Sequence, residues 1–295
     1  MPGNEPKSYK VEDVDAIPAS AKALVDSVCP PSALKSNYEK SKLIVHFLSS
    51  RHKRGKPIHK TFELTLKSIQ RNEGVCSDYV KVFNGLANAA NIPFRRWGIS
   101  FDSYLGWGHA FGEIYDNILQ KWIMVDPFNA CYVRRKSDDM PLSAMQFRAY
   151  MLSHSDTSRL YLEKIDPNGL QFPDDSSYFH YYGDGIQRMI MMSGNNVFSF
   201  ENHFASRWVI GKSQSLAQTI GIVLHIYPRA LIVRRDMEPV AYDVLMQEKR
   251  FTLIFLIFVS IWICFGILLF FTKMKRRHSD ISKTAKVIRA PSIKI

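Results

Sequence analysis

GVCSDYVKVFNGLANAANIPFRRWGI, residues 74–99 of this chain of 295 residues, has a clear pattern of secondary structure. From Ser77 to Ala90 the apolar side chains recur with helical spacing, and Asn91 and Pro93 follow as stop signals. Residues 94–101 look like a β-strand. The pattern therefore predicts a helix followed by a strand, with Cys76 at the N-terminus of the helix.

The next two segments along the chain are GHAFGEIY, residues 108–115, and KWIMVDPF, residues 121–128. Within them, His109–Tyr115 and Lys121–Pro127 look like strands, and together they predict an antiparallel hairpin that turns through residues 116–119. A register that pairs Tyr115 with Gln120 also pairs His109 with Asp126. Side chains directly opposite each other in such a pair lie on the same face, with their Cβ atoms about 5 Å apart. We therefore expect Asp126 beside His109.

Cys76, His109 and Asp126 have the chemistry of a nucleophilic cysteine site. A helix N-terminus favours the thiolate, because its free N–H groups and partial positive charge stabilise an anion. Histidine takes the thiol proton near neutral pH and returns it to a leaving group, and a neighbouring carboxylate orients the ring. Taken singly, each residue has a common structural role as buried filler, core histidine or turn former. The residues alone therefore leave catalysis and these structural roles open.

These segments resemble the transglutaminase-like core family, which is papain-like in overall arrangement. The shared pattern is Gly-x-Cys opening a helix, then Gly-His-Ala-aromatic-x-Glu, then Trp-x-x-x-Asp-Pro, and it covers roughly residues 38–132. The resemblance implies an α+β fold, with helices followed by an antiparallel sheet. It also implies that Cys76, His109 and Asp126 act on amide or peptide bonds of a protein or peptide through a thioester, by hydrolysis or by transfer to an amine. Phe111 stands where many members carry Trp, so substrate contacts are expected to differ.

Acyl transfer also requires a donor for the oxyanion that forms on the carbonyl oxygen. The backbone N–H of Cys76 and a side chain such as Gln70 are candidates, and a helix-surface role for Gln70 is the stronger alternative.

The order of the predicted elements is helices first and sheet afterwards, which is an α+β order. The predicted helices before Cys76 are Ala19–Val28, Tyr38–Ser50 and Phe62–Arg71. We divide the chain into a leader with the first helix (1–35), a transglutaminase-like core (36–140), an extension of uncertain fold (141–250), a transmembrane helix (251–271) and a basic tail (272–295). The aromatic patch SYFHYYGDGI in the extension fits a binding surface and packing against the core equally well, and we assign it no role.

Residues 251–271 contain 21 residues without a charged side chain. A helix of that length spans about 31 Å, close to the thickness of the hydrocarbon core of a bilayer. The segment therefore predicts a single membrane anchor. Lys273, Lys275, Arg276 and Arg277 after it favour a cytoplasmic tail. The first 20 residues contain no apolar stretch able to act as a signal peptide, which favours the opposite topology, and we expect a cytoplasmic catalytic domain.

Composition narrows the remaining classes of function. The net charge is +12, but eight Lys or Arg against one Asp in residues 272–295 supply +7 of it, so we expect a membrane partner and no nucleic acid. The four cysteines show no metal-ligand spacing, and we expect neither a metal nor another cofactor; Cys29 and Cys131 are expected to be structural. The alternative from another class is a catalytically silent, membrane-tethered binding or scaffold protein. The oligomeric state is not indicated.

Overall fold

The computed structural model describes residues 12–30, 36–49, 55–56, 58, 60–101, 108–153, 157–167, 169, 171–193, 196–210, 217, 229–232 and 239–288. The chain forms two compact units, Met1–Ala241 and Tyr242–Ile295. The segment HKRGKPIH, residues 52–59, is predicted to be an exposed loop from its glycine, proline and basic residues, and it lies largely outside the described residues. Most of an apolar stretch at residues 219–233 lies outside them as well.

The described helices of the first unit and the one that leads into the second are α1 (Ala19–Val28), α2 (Asn37–Ser49), α3 (Phe62–Ile69), α4 (Cys76–Ala89), α5 (Ala144–Ser153), α6 (Asp175–Gly185), α7 (Phe198–Asn202), α8 (Phe204–Val209) and α9 (Pro239–Ile288). The described strands are β1 (Phe94–Ser100), β2 (Gly108–Asp116), β3 (Lys121–Asp126), β4 (Cys131–Arg135), β5 (Met140–Pro141), β6 (Leu160–Lys164), β7 (Met189–Ser193) and β8 (Arg229–Ile232). The four predicted helices and three predicted strands before residue 127 are all present, with ends within two residues of the expected positions.

One antiparallel sheet contains all eight described strands. Its order is β5-β4-β3-β2-β1-β7-β8, and β6 also pairs with β4. This arrangement of helices with an antiparallel sheet confirms the α+β class. Three of these strands, β6, β7 and β8, come from residues after 141, so that part of the chain extends the same sheet.

Each face of the sheet carries its own apolar core, because side chains alternate between the two faces along a strand. On one face, Ile114 and Ile123 pack in the cluster that includes buried residues of α1 to α4. On the other face, Phe111 and Met124 pack in the cluster that includes buried residues of α5 and α6. The central strands are therefore covered on both sides, which fixes β2 and β3 rigidly.

The predicted register of the β2–β3 hairpin is wrong by two residues. The observed pairs include Tyr115 with Trp122 and Asp116 with Lys121, where the prediction paired Tyr115 with Gln120. The cause is the position of the turn, which occupies residues 117–120. The Asp116 carboxylate holds the turn there by accepting hydrogen bonds from the N–H groups of Ile118 and Leu119, at 3.0 and 2.7 Å. An even shift leaves every side chain on its original face.

In the segment after residue 140, the aromatic patch SYFHYYGDGI forms α6. Asp174 caps this helix by accepting a hydrogen bond from the Ser177 N–H at 2.7 Å. Tyr178, Phe179 and Tyr182 form its buried face.

The second unit consists of most of α9, a helix of 50 residues that begins before the predicted anchor and continues into the predicted basic tail. Within it, the 22 residues from Leu253 to Met274 are long and apolar enough to cross a membrane. Within the described part of the chain this is one candidate helix, which matches the prediction of one apolar spanning segment. Its apolar part is shifted by two or three residues towards the C-terminus.

Candidate active site

The N-terminus of α4 holds Cys76 in place. Gly74, two residues earlier, has a φ of 114°, a backbone conformation that L-residues with side chains rarely adopt. The buried Asp78 carboxylate accepts a hydrogen bond from the Val75 N–H at 3.0 Å and one from the Ile58 N–H at 3.1 Å. This local structure starts the helix at Cys76 and leaves its thiol half-buried at the positive end of the helix dipole.

His109 and Asp126 form a buried pair on β2 and β3. The distance from Nε2 of His109 to Oδ2 of Asp126 is 2.8 Å, and the two side chains are 3% and 1% exposed. With the corrected register, Asp126 lies one step beyond the pair of Gly112 with Val125 and is therefore diagonal to His109 on the same face. The prediction of an adjacent pair thus holds in the structure although its register was wrong.

The thiol of Cys76 lies near His109 and the Ala110 backbone N–H, close enough for both to act on its charge. Because Nε2 of His109 faces Asp126, Nδ1 is the ring nitrogen left for the thiol. The structure therefore brings the three predicted residues together, with His109 interacting with both Cys76 and Asp126.

The electrostatic interactions among Cys76, His109 and Asp126 favour a charged pair of thiolate and imidazolium. Burial raises the pKa of the Cys76 thiol, but the positive charge of His109 and the hydrogen bonds from His109 and Ala110 outweigh it, and the net pKa is lowered. Burial lowers the pKa of His109, yet the negative charges of Asp126 and Cys76 raise it well above the usual range. These two opposite shifts are consequences of the same attraction.

Asp126 stays ionised because many donors surround it. Burial raises the pKa of this carboxyl, but the charge of His109 and the hydrogen bonds from His109 and Asn129 lower it overall. Oδ2 accepts from the Asn129 side chain at 2.8 Å, and Oδ1 accepts from the N–H groups of Phe128 and Asn129 at 3.2 and 3.1 Å. The turn that follows β3 therefore fixes the carboxylate in its orientation towards His109.

Two tyrosines that sequence analysis left without a role complete the surroundings of Asp126. The hydroxyl of Tyr182 donates to Oδ2 at 2.9 Å, and that of Tyr178 lies 3.3 Å from the same atom. Their spacing of four residues, just after the capping residue Asp174, was the signal available in the sequence, because it puts both side chains on one face of a helix. Which strand that face would meet was not visible.

Aromatic rings also surround the imidazole. The Tyr181 and Phe128 rings have centroids 5.7 and 6.1 Å from the His109 ring, and Phe172 packs on Tyr181 at 5.0 Å. These contacts restrict rotation of the imidazole and shield it from water, which strengthens its interaction with Asp126.

The remaining predicted residues are placed as follows. Gln70 is exposed at the end of α3, as expected of a helix-surface residue. Cys29 and Cys131 are both buried. Among the described residues, no group of three or more His, Cys, Asp or Glu side chains could hold a metal ion.

Comparison with protein-family models gives no match, and comparison with curated proteins gives none either. Among solved structures, the chain is similar to one described as "a Putative Cysteine Protease from Cytophaga hutchinsonii". The sequence identity is 21% and the TM-score 0.30, and the alignment covers 41% of this chain and 39% of the other. The chain therefore spans about two fifths of that protein, and this similarity assigns neither a family nor an activity to it.

Proposed function

We propose that this chain is a transglutaminase-like cysteine enzyme that acts on amide or peptide bonds of a protein or peptide. The single observation that carries the proposal is the convergence of Cys76, His109 and Asp126: the buried histidine and carboxylate are 2.8 Å apart, and the thiol at the N-terminus of α4 interacts with the same histidine. A core histidine with a purely structural role has no need of a half-buried thiol at a helix N-terminus on its other side.

In the proposed reaction, the Cys76 thiolate attacks the carbonyl carbon, and the electron pair of the carbonyl bond moves to the oxygen. The tetrahedral intermediate collapses as the C–N bond breaks, and the imidazolium of His109 gives its proton to the departing nitrogen. A thioester remains on Cys76. Water or a primary amine then attacks the thioester, His109 takes the proton from this nucleophile, and the thiolate leaves.

Each described group has one task in this scheme. Asp126 orients the imidazole and stabilises its charged form. The backbone N–H of Cys76 is the proposed oxyanion donor, because it stands at the start of α4 on the same residue as the attacking thiol. Gln70 is not proposed for this role, because it is exposed at the end of α3.

An activated ester tests acyl transfer without knowledge of the natural substrate. We expect p-nitrophenyl acetate to acetylate Cys76 with a burst of p-nitrophenolate, and hydroxylamine to remove the acetyl group as a hydroxamate. Cys76→Ala should abolish the burst, and His109→Ala should slow it by about 100-fold or more, the usual contribution of a general base. Acetylation of Cys76 at the rate of a free thiol, unchanged by His109→Ala, would favour the silent binding or scaffold protein instead.

We further propose that α9 anchors the enzyme in a membrane through Leu253–Met274, with the catalytic domain in the cytoplasm. The support is the length and apolar character of this segment. Alkaline carbonate should leave the chain in the membrane pellet, whereas the double variant Ile261→Arg and Leu268→Arg should be extracted, because each charge in mid-span costs about 2.5–3.5 kcal/mol. Release of the unmodified chain by carbonate would contradict the anchor. Protection of the catalytic domain from protease in sealed vesicles whose cytoplasmic face points outwards would reverse the topology.

A further inference from the structure

We propose that Tyr178 and Tyr182 are positioning residues that weaken Asp126 as the partner of His109, so that the imidazolium can still release its proton to the leaving group. This inference rests on the proposed function of Cys76 and His109.

The two tyrosines approach the same carboxylate oxygen that holds the histidine. Both side chains are fully buried on α6. Oδ2 of Asp126 lies 2.9 Å from the Tyr182 hydroxyl, 3.3 Å from the Tyr178 hydroxyl and 2.8 Å from Nε2 of His109.

The side-chain amide of Asn129 donates to this oxygen as well, at 2.8 Å. Four donors therefore surround one oxygen, whereas a whole carboxylate offers about four lone-pair sites on its two oxygens. All four donors interact with the same negative charge. The hydrogen bonds from the tyrosines therefore weaken the interaction of this oxygen with His109.

The titratable groups that face Asp126 come from several elements. His109 lies on β2, and Tyr178 and Tyr182 lie on α6. Cys131 on β4 is directly opposite Asp126 in the sheet. Burial, together with the charges of Cys131 and Asp126, keeps the pKa of both phenols well above the usual value. The hydroxyls therefore remain protonated donors throughout the range in which a histidine titrates.

An acyl-transfer histidine must meet two opposing demands. Its charged form has to be stable enough to hold the Cys76 thiolate, and yet acidic enough to protonate an amine. A buried carboxylate with no donor other than His109 would meet only the first demand. Hydrogen bonds from other donors stabilise the carboxylate even when the imidazole is neutral. They therefore reduce the extent to which Asp126 stabilises the charged imidazolium.

Alkylation of Cys76 by iodoacetamide tests the proposal without a substrate. The rate, measured on the Cys76 peptide of the detergent-solubilised full chain, should show two midpoints: an acid one where the thiolate forms beside the imidazolium, and an alkaline one where the imidazolium loses its proton. In Tyr182→Phe we expect the alkaline midpoint to rise by about 0.5 to 1 pH unit, and the acid midpoint to stay in place. Tyr178→Phe should act in the same direction but less, because its bond is longer.

Tyr115→Phe is the matched control. Tyr115 lies on β2, the strand of His109, and its described ring contact is with Trp122, at 5.6 Å between centroids. Its alkaline midpoint should equal that of the unmodified chain. Since Tyr→Phe preserves the ring, the variants are expected to fold, and Tyr178→Phe serves as the second test if Tyr182→Phe does not.

The outcomes separate the two proposals. Two midpoints in the unmodified chain, with the alkaline one unmoved or lowered in the tyrosine variants, would overturn the role of the tyrosines and leave the proposed function standing. A lower rate at every pH with unmoved midpoints would assign them a structural role only. A single midpoint at the position of a free thiol in the unmodified chain would overturn both.

Discussion

Glu113 is a buried charge on the same strand and the same face as His109, and its removal should destabilise the whole site region. Its carboxylate is 0% exposed and contacts Arg95 on β1 at 2.8 and 3.0 Å. It also accepts from the Trp97 indole N–H at 2.6 Å and from the Ala144 backbone N–H, at the start of α5, at 2.6 Å. One side chain on the strand of His109 thus joins β1, β2 and α5.

Glu113→Ala takes the carboxylate away from a guanidinium that is itself 8% exposed. Removal of one partner of a buried ion pair costs about 3–5 kcal/mol, because the other charge stays desolvated. For a domain of this size that corresponds to a fall in Tm of roughly 6 to 20 °C.

The assay is thermal unfolding of the detergent-solubilised chain, followed by near-UV circular dichroism. The double variant Glu113→Leu with Arg95→Met removes both charges and should cost less than Glu113→Ala alone. A loss below about 1 kcal/mol for Glu113→Ala, or a double variant that loses as much stability as Glu113→Ala or more, would contradict this role of the buried ion pair.

Two further predictions concern packing and pH. Gly112→Ala should destabilise the sheet by about 1–3 kcal/mol, because the added Cβ would lie 2.2 Å from the Phe94 ring. Gly183→Ala should be neutral or slightly stabilising, because no atom lies nearer than 3.6 Å to its added Cβ. Equal Tm values for the two variants would contradict the β1–β2 packing. Asp126 and His109 should also make stability depend on pH. The lowered folded-state pKa of Asp126 means that its contribution is complete above the unfolded value of about 3.9 and disappears as the pH falls through the folded value. The raised pKa of His109 means that its contribution is complete below about 6.5 and disappears as the pH rises through the folded value. The difference in unfolding free energy between the unmodified chain and Asp126→Asn should therefore be largest between these limits, and a difference that is constant from acid to alkaline pH would contradict the ion pair.

Much of the candidate site could be predicted because its parts are local in the sequence. Gly74 before Cys76 and Pro93 after the helix mark the two ends of the helix that begins at Cys76. His109 and Asp126 belong to one hairpin. The register error of two residues did not separate them, because the strand period of two preserves the face. Only the side-chain bonds of Asp116 fixed the true position of the turn.

The parts that sequence could not provide depend on contacts between distant segments. Tyr182 lies 56 residues from Asp126, and the three-residue sequence Gly183-Asp184-Gly185 at the end of its helix resembles a loop. The helix forms because its capping residue Asp174 and a buried aromatic face outweigh the poor helix propensity of glycine. In the same way, β7 extends the sheet beside β1 although its own residues give no sign of their partner.

The proposed acyl-transfer site depends most directly on the charge state of Cys76. The measurement that tests it is the pH dependence of Cys76 alkylation by iodoacetamide in the unmodified chain, His109→Ala and Asp126→Asn. We predict a midpoint for thiolate formation well below that of a free thiol, a return to the free-thiol value in His109→Ala, and an earlier loss of the imidazolium with rising pH in Asp126→Asn. An ordinary, slowly reacting thiol whose profile is the same in all three proteins would contradict the proposed site.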